Sequence, residues 1–187
     1  MDLKKNSVEV GPATTAESRK AFFLDRDGTL IVDRGYIRRT EDIELFPDTI
    51  GTLQELQTRG FLLVVVSNQS GIARGLITNE EARAVSEAFC RILRENGIII
   101  ASARFCPHLP DAGCECRKPR PGMLLEAGRA LGIDFSQSYM VGDRRTDCEA
   151  GAAVGCTPVL LEPGGRHEPI PIGWKVIRKL SDLLQFA

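Results

Sequence analysis

The chain has 187 residues and a formal net charge of −1. That length supports one domain with a full hydrophobic core, and the near-neutral balance excludes an overall basic field for nucleic acid or an anionic membrane surface. No apolar run approaches the roughly 20 residues that a bilayer-spanning helix needs.

Residues 1–19 are polar and lack an apolar signal core, so they read as a flexible lead-in and secretion is not expected. Residues 20–187 are expected to form a single domain. The first strand is expected at "AFFL" (21–24). Ile50, Leu53 and Leu56 recur at helical spacing in 48–60, which closes on Gly60. The run "FLLVVVS" (61–67) is apolar and β-branched, as in a strand covered on both faces. A helix over 78–97 opens with Thr78 and Glu81, the two members of a capping box, and stops at Gly97. Further strands are expected at 98–105, 139–143 and 157–162, with helices over 121–133 and 146–155. The Pro- and Gly-containing stretch 163–173 reads as loop, and "WKVIRKLSDLLQFA" as a small strand and a terminal helix. Strand and helix alternate throughout, so the expected fold is α/β: one Rossmann-like, doubly wound parallel sheet with helices on both faces. Such sheets bind ligands beyond the carboxyl ends of their strands. That gathers Asp25, Ser67 and Asp143, each of which ends an apolar run.

Asp25 and Asp27 are separated by one residue at the end of a buried strand, where they would repel each other and lose hydration. A metal ion relieves both problems. The Asp25 and Asp143 carboxylates with the Asp27 backbone carbonyl, completed by water and a ligand oxygen, form the hard oxygen shell that Mg²⁺ prefers. Ser67 can donate a hydrogen bond into the same cleft, and Lys118 lies in "CRKPRPG" between Pro119 and Pro121. A carboxylate nucleophile, a divalent cation, a hydroxyl and a lysine are the parts of phosphoryl transfer. Asp147, four residues past Asp143, is expected to orient neighbouring groups.

The segment "CPHLPDAGCEC" brings Cys106, His108, Cys114 and Cys116 within eleven residues. Three thiols and an imidazole suit a closed, structural tetrahedral Zn²⁺ site. The site would stiffen the backbone next to Lys118. Six cysteines without a secretion signal point to a reduced, cytoplasmic compartment. Cys90, Cys148 and Cys156 read as small apolar core residues, and His167 carries no assigned role.

"DRDGT", "VVVSNQS", "RKP" and "GDRRTD" occur in that order and resemble the four motifs of the haloacid dehalogenase-type phosphatases over roughly residues 20–160. The resemblance implies that Asp25 is the nucleophile and forms an aspartyl-phosphate. It implies that Asp27 is the proton donor and acceptor, and that Ser67 and Lys118 hold the transferred group. Neither interval between these motifs holds a separate cap domain. "DRDGTLIVDRGY", "NQSGIARG", "CPH…CECRKPRPGM" and "YMVGDRRTD" together are similar to the D-glycero-D-manno-heptose 1,7-bisphosphate 7-phosphatases. These make an intermediate for the heptose of the lipopolysaccharide core or of nucleotide-activated heptoses. Carried over by position, Asp33, Arg34, Gly35 and Tyr36 of a flap, Asn68, Gln69 and Ser70, and Arg117 and Arg144 would contact the sugar and its distal phosphate. The short zinc loop is nearer in length to histidinol-phosphate phosphatases, which stand as the alternative. A polynucleotide 3′-phosphatase lacks its basic stripe here, and a non-catalytic sugar-phosphate binder would not need a nucleophile. The expected partner is a small sugar bisphosphate, and the chain is expected to act as a monomer.

Overall fold

The apolar run 21–24 becomes β1 (Ala21–Leu24), all four residues of which are buried. It is flanked on both sides by parallel strands, β2 (Leu62–Asn68) and β4 (Tyr139–Gly142). With β3 (Ile100–Cys106), β5 (Thr157–Leu161) and β6 (Lys175–Ile177) they form one six-stranded parallel sheet of order β3-β2-β1-β4-β5-β6. The computed structural model describes residues 18–164 and 169–187. Most of the expected lead-in and His167 lie outside the described residues. Arg19, expected in the lead-in, is bonded into the fold: its N–H donates to Gly132 O (3.2 Å) and its carbonyl accepts from Asp134 N (2.9 Å).

Side-chain alternation along each strand divides the core in two. Phe22, Leu24, Leu63 and Val65 face Leu53 and Leu56 of α1 (Thr49–Thr58) and Val85, Phe89 and Leu93 of α2 (Asn79–Glu95). Ala21, Phe23, Val64 and Val66 face Met123, Leu124, Ala127 and Leu131 of α3 (Gly122–Leu131) and Ala150 of α4 (Arg145–Ala152). The helices thus cover both faces, as their alternation with strands requires. The capping box forms: Thr78 Oγ1 accepts from Glu81 N (3.1 Å) and Glu81 Oε2 accepts from Thr78 N (2.7 Å). Phe22 stacks on Tyr139 at 4.7 Å, and the Tyr139 hydroxyl donates to Phe186 O at 2.8 Å, fastening the terminal segment.

One expected element differs in kind. The terminal helix is a 3₁₀ helix, Leu180–Gln185. Six residues are too few to offset the cost of an α-helical nucleus, whereas i→i+3 bonding closes sooner. The Asp182 carboxylate, which accepts from the backbone N–H groups of Arg178 (2.9 Å) and Lys179 (3.2 Å), holds its entry. Two further 3₁₀ turns, Thr40–Asp42 and Phe135–Gln137, carry no apolar period by which the sequence could announce them.

Adjacency of β2, β1 and β4 sets Ser67, Asp25 and Asp143 side by side at one edge of the sheet. The opposite edge is tied by Ser138, which is buried; its Oγ accepts from Ala21 N (2.9 Å) and donates to Asp134 O (2.6 Å). Ser138→Ala leaves the Ala21 N–H buried without a partner. The expected cost is about 1–3 kcal/mol, a fall in Tm of roughly 2–4 °C per kcal/mol for a chain this long. An unchanged thermal melt would remove this bond from the stabilising contacts.

Candidate active site

Asp25 follows β1 directly, and its backbone N–H donates to Val141 O of β4 (2.9 Å). Its Oδ1 accepts from Lys118 Nζ at 2.6 Å. The Lys118 ammonium, 2 % exposed, also contacts Val66 O (2.7 Å) and Asp147 Oδ1 (2.8 Å), so all three of its donors are satisfied. Asn68 holds the lysine's backbone: its Nδ2 donates to Lys118 O (3.1 Å) and its Oδ1 accepts from Lys118 N (3.2 Å). Asp147, in the first turn of α4, accepts from Arg144 N through Oδ2 (3.0 Å). It fits there because residue 142 is glycine; a Cβ at that position would overlap the Asp147 carboxylate. Asp147, expected to orient neighbouring groups, contacts the Lys118 ammonium and the Arg144 backbone N–H.

The chain turns at Gly28 in the left-handed region (φ 80°), and a Cβ there would come 2.7 Å from Asp143 Oδ2. The Asp27 carboxylate accepts from buried Arg26 (Nη2 at 2.9 and 3.0 Å, Nε at 3.2 Å), from Gln69 Nε2 (2.7 Å) and from Ser67 Oγ (3.2 Å). Carboxylate oxygens of Asp25, Asp143 and Asp147 lie within 4.8 Å of one another, and Asp143 Oδ1 is buried with no hydrogen-bond partner. Four largely buried carboxylates, those of Asp25, Asp27, Asp143 and Asp147, face two buried cations, Lys118 and Arg26. Burial pushes the Asp25 carboxyl up to about 7, with Asp147 and Asp27 adding to the rise and Lys118 opposing it. Burial and Asp147 likewise raise Asp143. Burial alone would lower Lys118, but Asp147 and Asp25 outweigh it and keep the ammonium charged. A hard divalent cation fits this cluster: it supplies the missing positive charge and a partner for Asp143 Oδ1.

These groups open on a cleft of about 790 Å³. Asp33, Gly35 and Tyr36 of the flap line it, as do Ser70, Arg117 and Arg144. The Tyr36 ring lies against the backbone of Gly71, where a Cβ would overlap it. Arg144 Nη2 pairs with Asp33 Oδ2 (3.2 Å), and Arg117 Nη1 donates to His108 O (3.1 Å). Arg34 is the exception: it is not among the lining residues, and its exposed guanidinium pairs with the exposed Glu44 carboxylate. Asn68 and Gln69 reach the cleft, but their amides bond Lys118 and Asp27, not open space. Arg120 and Arg145 also line it, which sequence reasoning missed. The adjacent cationic pairs "RKPR" and "RR" were the available signal.

Beside the cleft, Cys106 Sγ, His108 Nδ1, Cys114 Sγ and Cys116 Sγ converge, with neighbouring ligand atoms 3.1–3.6 Å apart. Tetrahedral zinc with Zn–S near 2.3 Å sets ligand atoms about 3.5–3.8 Å apart, so the four groups are spaced for a closed site. Without a cation, burial pushes the Cys106 and Cys116 thiols up, and Cys106 adds to the rise at Cys116. The cluster reaches the active site through backbone: Cys106 O accepts from Gln69 N (2.7 Å), and Arg117 and Lys118 follow Cys116 directly. Cys148 and Cys156 are buried and Cys90 half-buried, all free thiols.

Known proteins match the chain at several levels. A HAD-hydrolase-like family model matches residues 115–171. A D-glycero-beta-D-manno-heptose-1,7-bisphosphate 7-phosphatase of Yersinia pestis is 44 % identical over 156 residues, 79 % of this chain and 83 % of that protein. The protein of the same name from Escherichia coli K12 is 40 % identical over 181 residues, 91 % of this chain and 94 % of that one. Among solved structures, the D,D-heptose 1,7-bisphosphate phosphatase of B. bronchiseptica complexed with magnesium and phosphate superposes with a TM-score of 0.79. It shares 32 % identity and covers 90 % of this chain and 99 % of that one.

Two outcomes follow from the geometry. A divalent cation at the carboxylates competes with the proton on Asp25, whose carboxyl sits at about 7 without metal. Mg²⁺ affinity should therefore rise roughly tenfold from pH 6 to pH 8 and flatten above. Between about pH 4 and pH 7 the metal-free protein should lose stability as pH rises, since its folded state keeps Asp25 protonated up to about 7 whereas the unfolded chain releases that proton near 3.8. Calorimetric titrations with Mg²⁺ giving one affinity at both pH values would contradict this. At the second cluster, Cys114→Ser should bring zinc well below one per chain by elemental analysis and lower Tm, because structural zinc contributes folding free energy. Zinc-free wild-type protein that melts at the same temperature with and without added zinc would dismiss the site.

Proposed function

Because this chain belongs to the D-glycero-beta-D-manno-heptose-1,7-bisphosphate 7-phosphatase family, we propose that it hydrolyses the 7-phosphate of D-glycero-D-manno-heptose 1,7-bisphosphate through an aspartyl-phosphate intermediate. The product would feed nucleotide-activated heptose and lipopolysaccharide core synthesis. The single observation that carries the reading is the Asp25 carboxylate held 2.6 Å from buried Lys118 in a cleft also lined by Arg117 and Arg144.

Asp25 attacks phosphorus in line, the ester oxygen leaves, and Asp27 supplies its proton. Water then attacks the aspartyl-phosphate, Asp27 takes the proton from it, and inorganic phosphate departs. Ser67 and Lys118 would hold the oxygens of the transferred group, exchanging their hydrogen bonds to Asp27 and Asp25 for it. Asp25, Asp143 and the Asp27 carbonyl would hold Mg²⁺, with Asp147 beside them. Mg²⁺ bound there supplies charge neutralisation for the phosphoryl oxygens. Cys106, His108, Cys114 and Cys116 would hold Zn²⁺ in a structural role. Arg117 and Arg144 carry planar forked donors suited to the phosphate that is not cleaved. Arg120 and Arg145 lie in the same cleft and extend its positive wall. The chain would act as a monomer. Six free thiols suit the reduced cytoplasm. Among the described residues no helix is long and apolar enough to cross a membrane.

The test has two parts. Wild-type kcat/KM should be far higher on heptose 1,7-bisphosphate than on histidinol phosphate or fructose 1,6-bisphosphate; the reverse order would replace the substrate. Arg117→Ala and Arg144→Ala should each cost tenfold to a hundredfold in kcat/KM on the heptose bisphosphate, the roughly 1.5–3 kcal/mol of a charged donor lost to an anion. An aryl phosphate, which has no second phosphate, should be hydrolysed at nearly the wild-type rate. Equal losses on both substrates would place these arginines in the common catalytic centre or the fold.

A further inference from the structure

We infer that Gln69 is a positioning residue for the Asp27 carboxylate, and not a sugar contact. Gln69 is 5 % exposed. Its amide nitrogen has two hydrogens, and both are engaged: Nε2 donates to Asp27 Oδ2 at 2.7 Å and to Ser67 Oγ at 2.8 Å. With its oxygen occupied as acceptor, the Ser67 hydroxyl turns its hydrogen to Asp27 Oδ2 at 3.2 Å. The three groups form a closed triangle. No donor on this amide nitrogen remains for a hydroxyl of the substrate.

The triangle is anchored at both ends. Gln69 N donates to Cys106 O at 2.7 Å, where β3 meets the cysteine-histidine cluster. Arg26, 4 % exposed, grips the same Asp27 carboxylate from its other side through Nη2 and Nε. A carboxylate free to rotate would spend much of its time away from the leaving oxygen. A misplacement of about 1 Å costs on the order of 100-fold in rate. Gln69 and Arg26 remove that freedom before substrate arrives.

The inference rests on reading Asp27 as the group that supplies a proton to the leaving oxygen, and the test separates the two. An activated aryl ester such as 2,4-dinitrophenyl phosphate expels its leaving group without a proton donor, whereas a sugar alkoxide needs one. The ratio kcat/KM stops at phospho-enzyme formation and so isolates that step. Gln69→Leu removes the amide, and Gln69→Met does so while keeping side-chain length, so that one misfolded variant does not end the experiment. Each should lose tenfold to a hundredfold in kcat/KM on heptose 1,7-bisphosphate and threefold or less on the dinitrophenyl ester. Binding of heptose 1,7-bisphosphate, measured by calorimetry in the Asp25→Asn background, should change by twofold or less. Tenfold weaker binding there would make Gln69 a sugar contact, and equal losses on the two esters would make it part of the common centre; either overturns the inference. Asp27→Asn should show the same split more strongly. If it instead lowers both esters equally, the proton-donor role of Asp27 fails, and with it this role for Gln69.

Discussion

The buried ammonium of Lys118 is the contact on which the site depends. It bridges Asp25 at the end of β1, Asp147 in the first turn of α4 and the carbonyl of Val66 in β2. Three elements distant in sequence are thereby held to one point. Removing one member of such a buried set leaves an uncompensated charge, which costs more than the pair contributes net. The surrounding chain is arranged to hold the lysine: Asn68 takes both hydrogen-bonding groups of its backbone, and the absence of a side chain at Gly142 admits Asp147.

The ammonium leaves the cluster short of positive charge, and that deficit is the chemically useful feature. Asp25 and Asp143 are driven toward protonation by burial and by neighbouring carboxylates. A divalent cation completes the charge balance of the four carboxylates and the two buried cations. Asp27 stands apart within this arrangement. Its carboxylate is turned away to Arg26, Ser67 and Gln69. Two acids one residue apart thus receive different surroundings, and different surroundings allow different chemical roles.

The cysteine-histidine loop extends the same design. It follows β3 and ends at Arg117 and Lys118, and its first cysteine also accepts from the backbone of Gln69. A closed metal site there would stiffen both approaches to the catalytic groups and one wall of the cleft. Positioning of this kind suits phosphoryl transfer, in which the protein contributes placement and charge more than covalent chemistry.

The alternation of apolar runs with amphipathic stretches was enough to derive the parallel sheet, because burial of a strand on both faces leaves a continuous apolar signature. The same rule placed Asp25, Ser67 and Asp143 at one edge, and the spacing of Cys106, His108, Cys114 and Cys116 made a cluster legible as local geometry. Side-chain direction was not legible. Arg34 follows Asp33 and precedes Gly35, yet only its two neighbours line the cleft, while its guanidinium pairs with Glu44 ten residues on. Asn68 and Gln69 belong to a recognisable motif, but that they spend their amides on Lys118 and Asp27 depends on contacts 50 and 42 residues away in sequence. Arg120 and Arg145 join the cleft for the same reason. Local pattern determined which elements form and which chemistry they carry; the packing of those elements decided which partner each polar side chain meets, because hydrogen bonds between distant segments have no period along the chain.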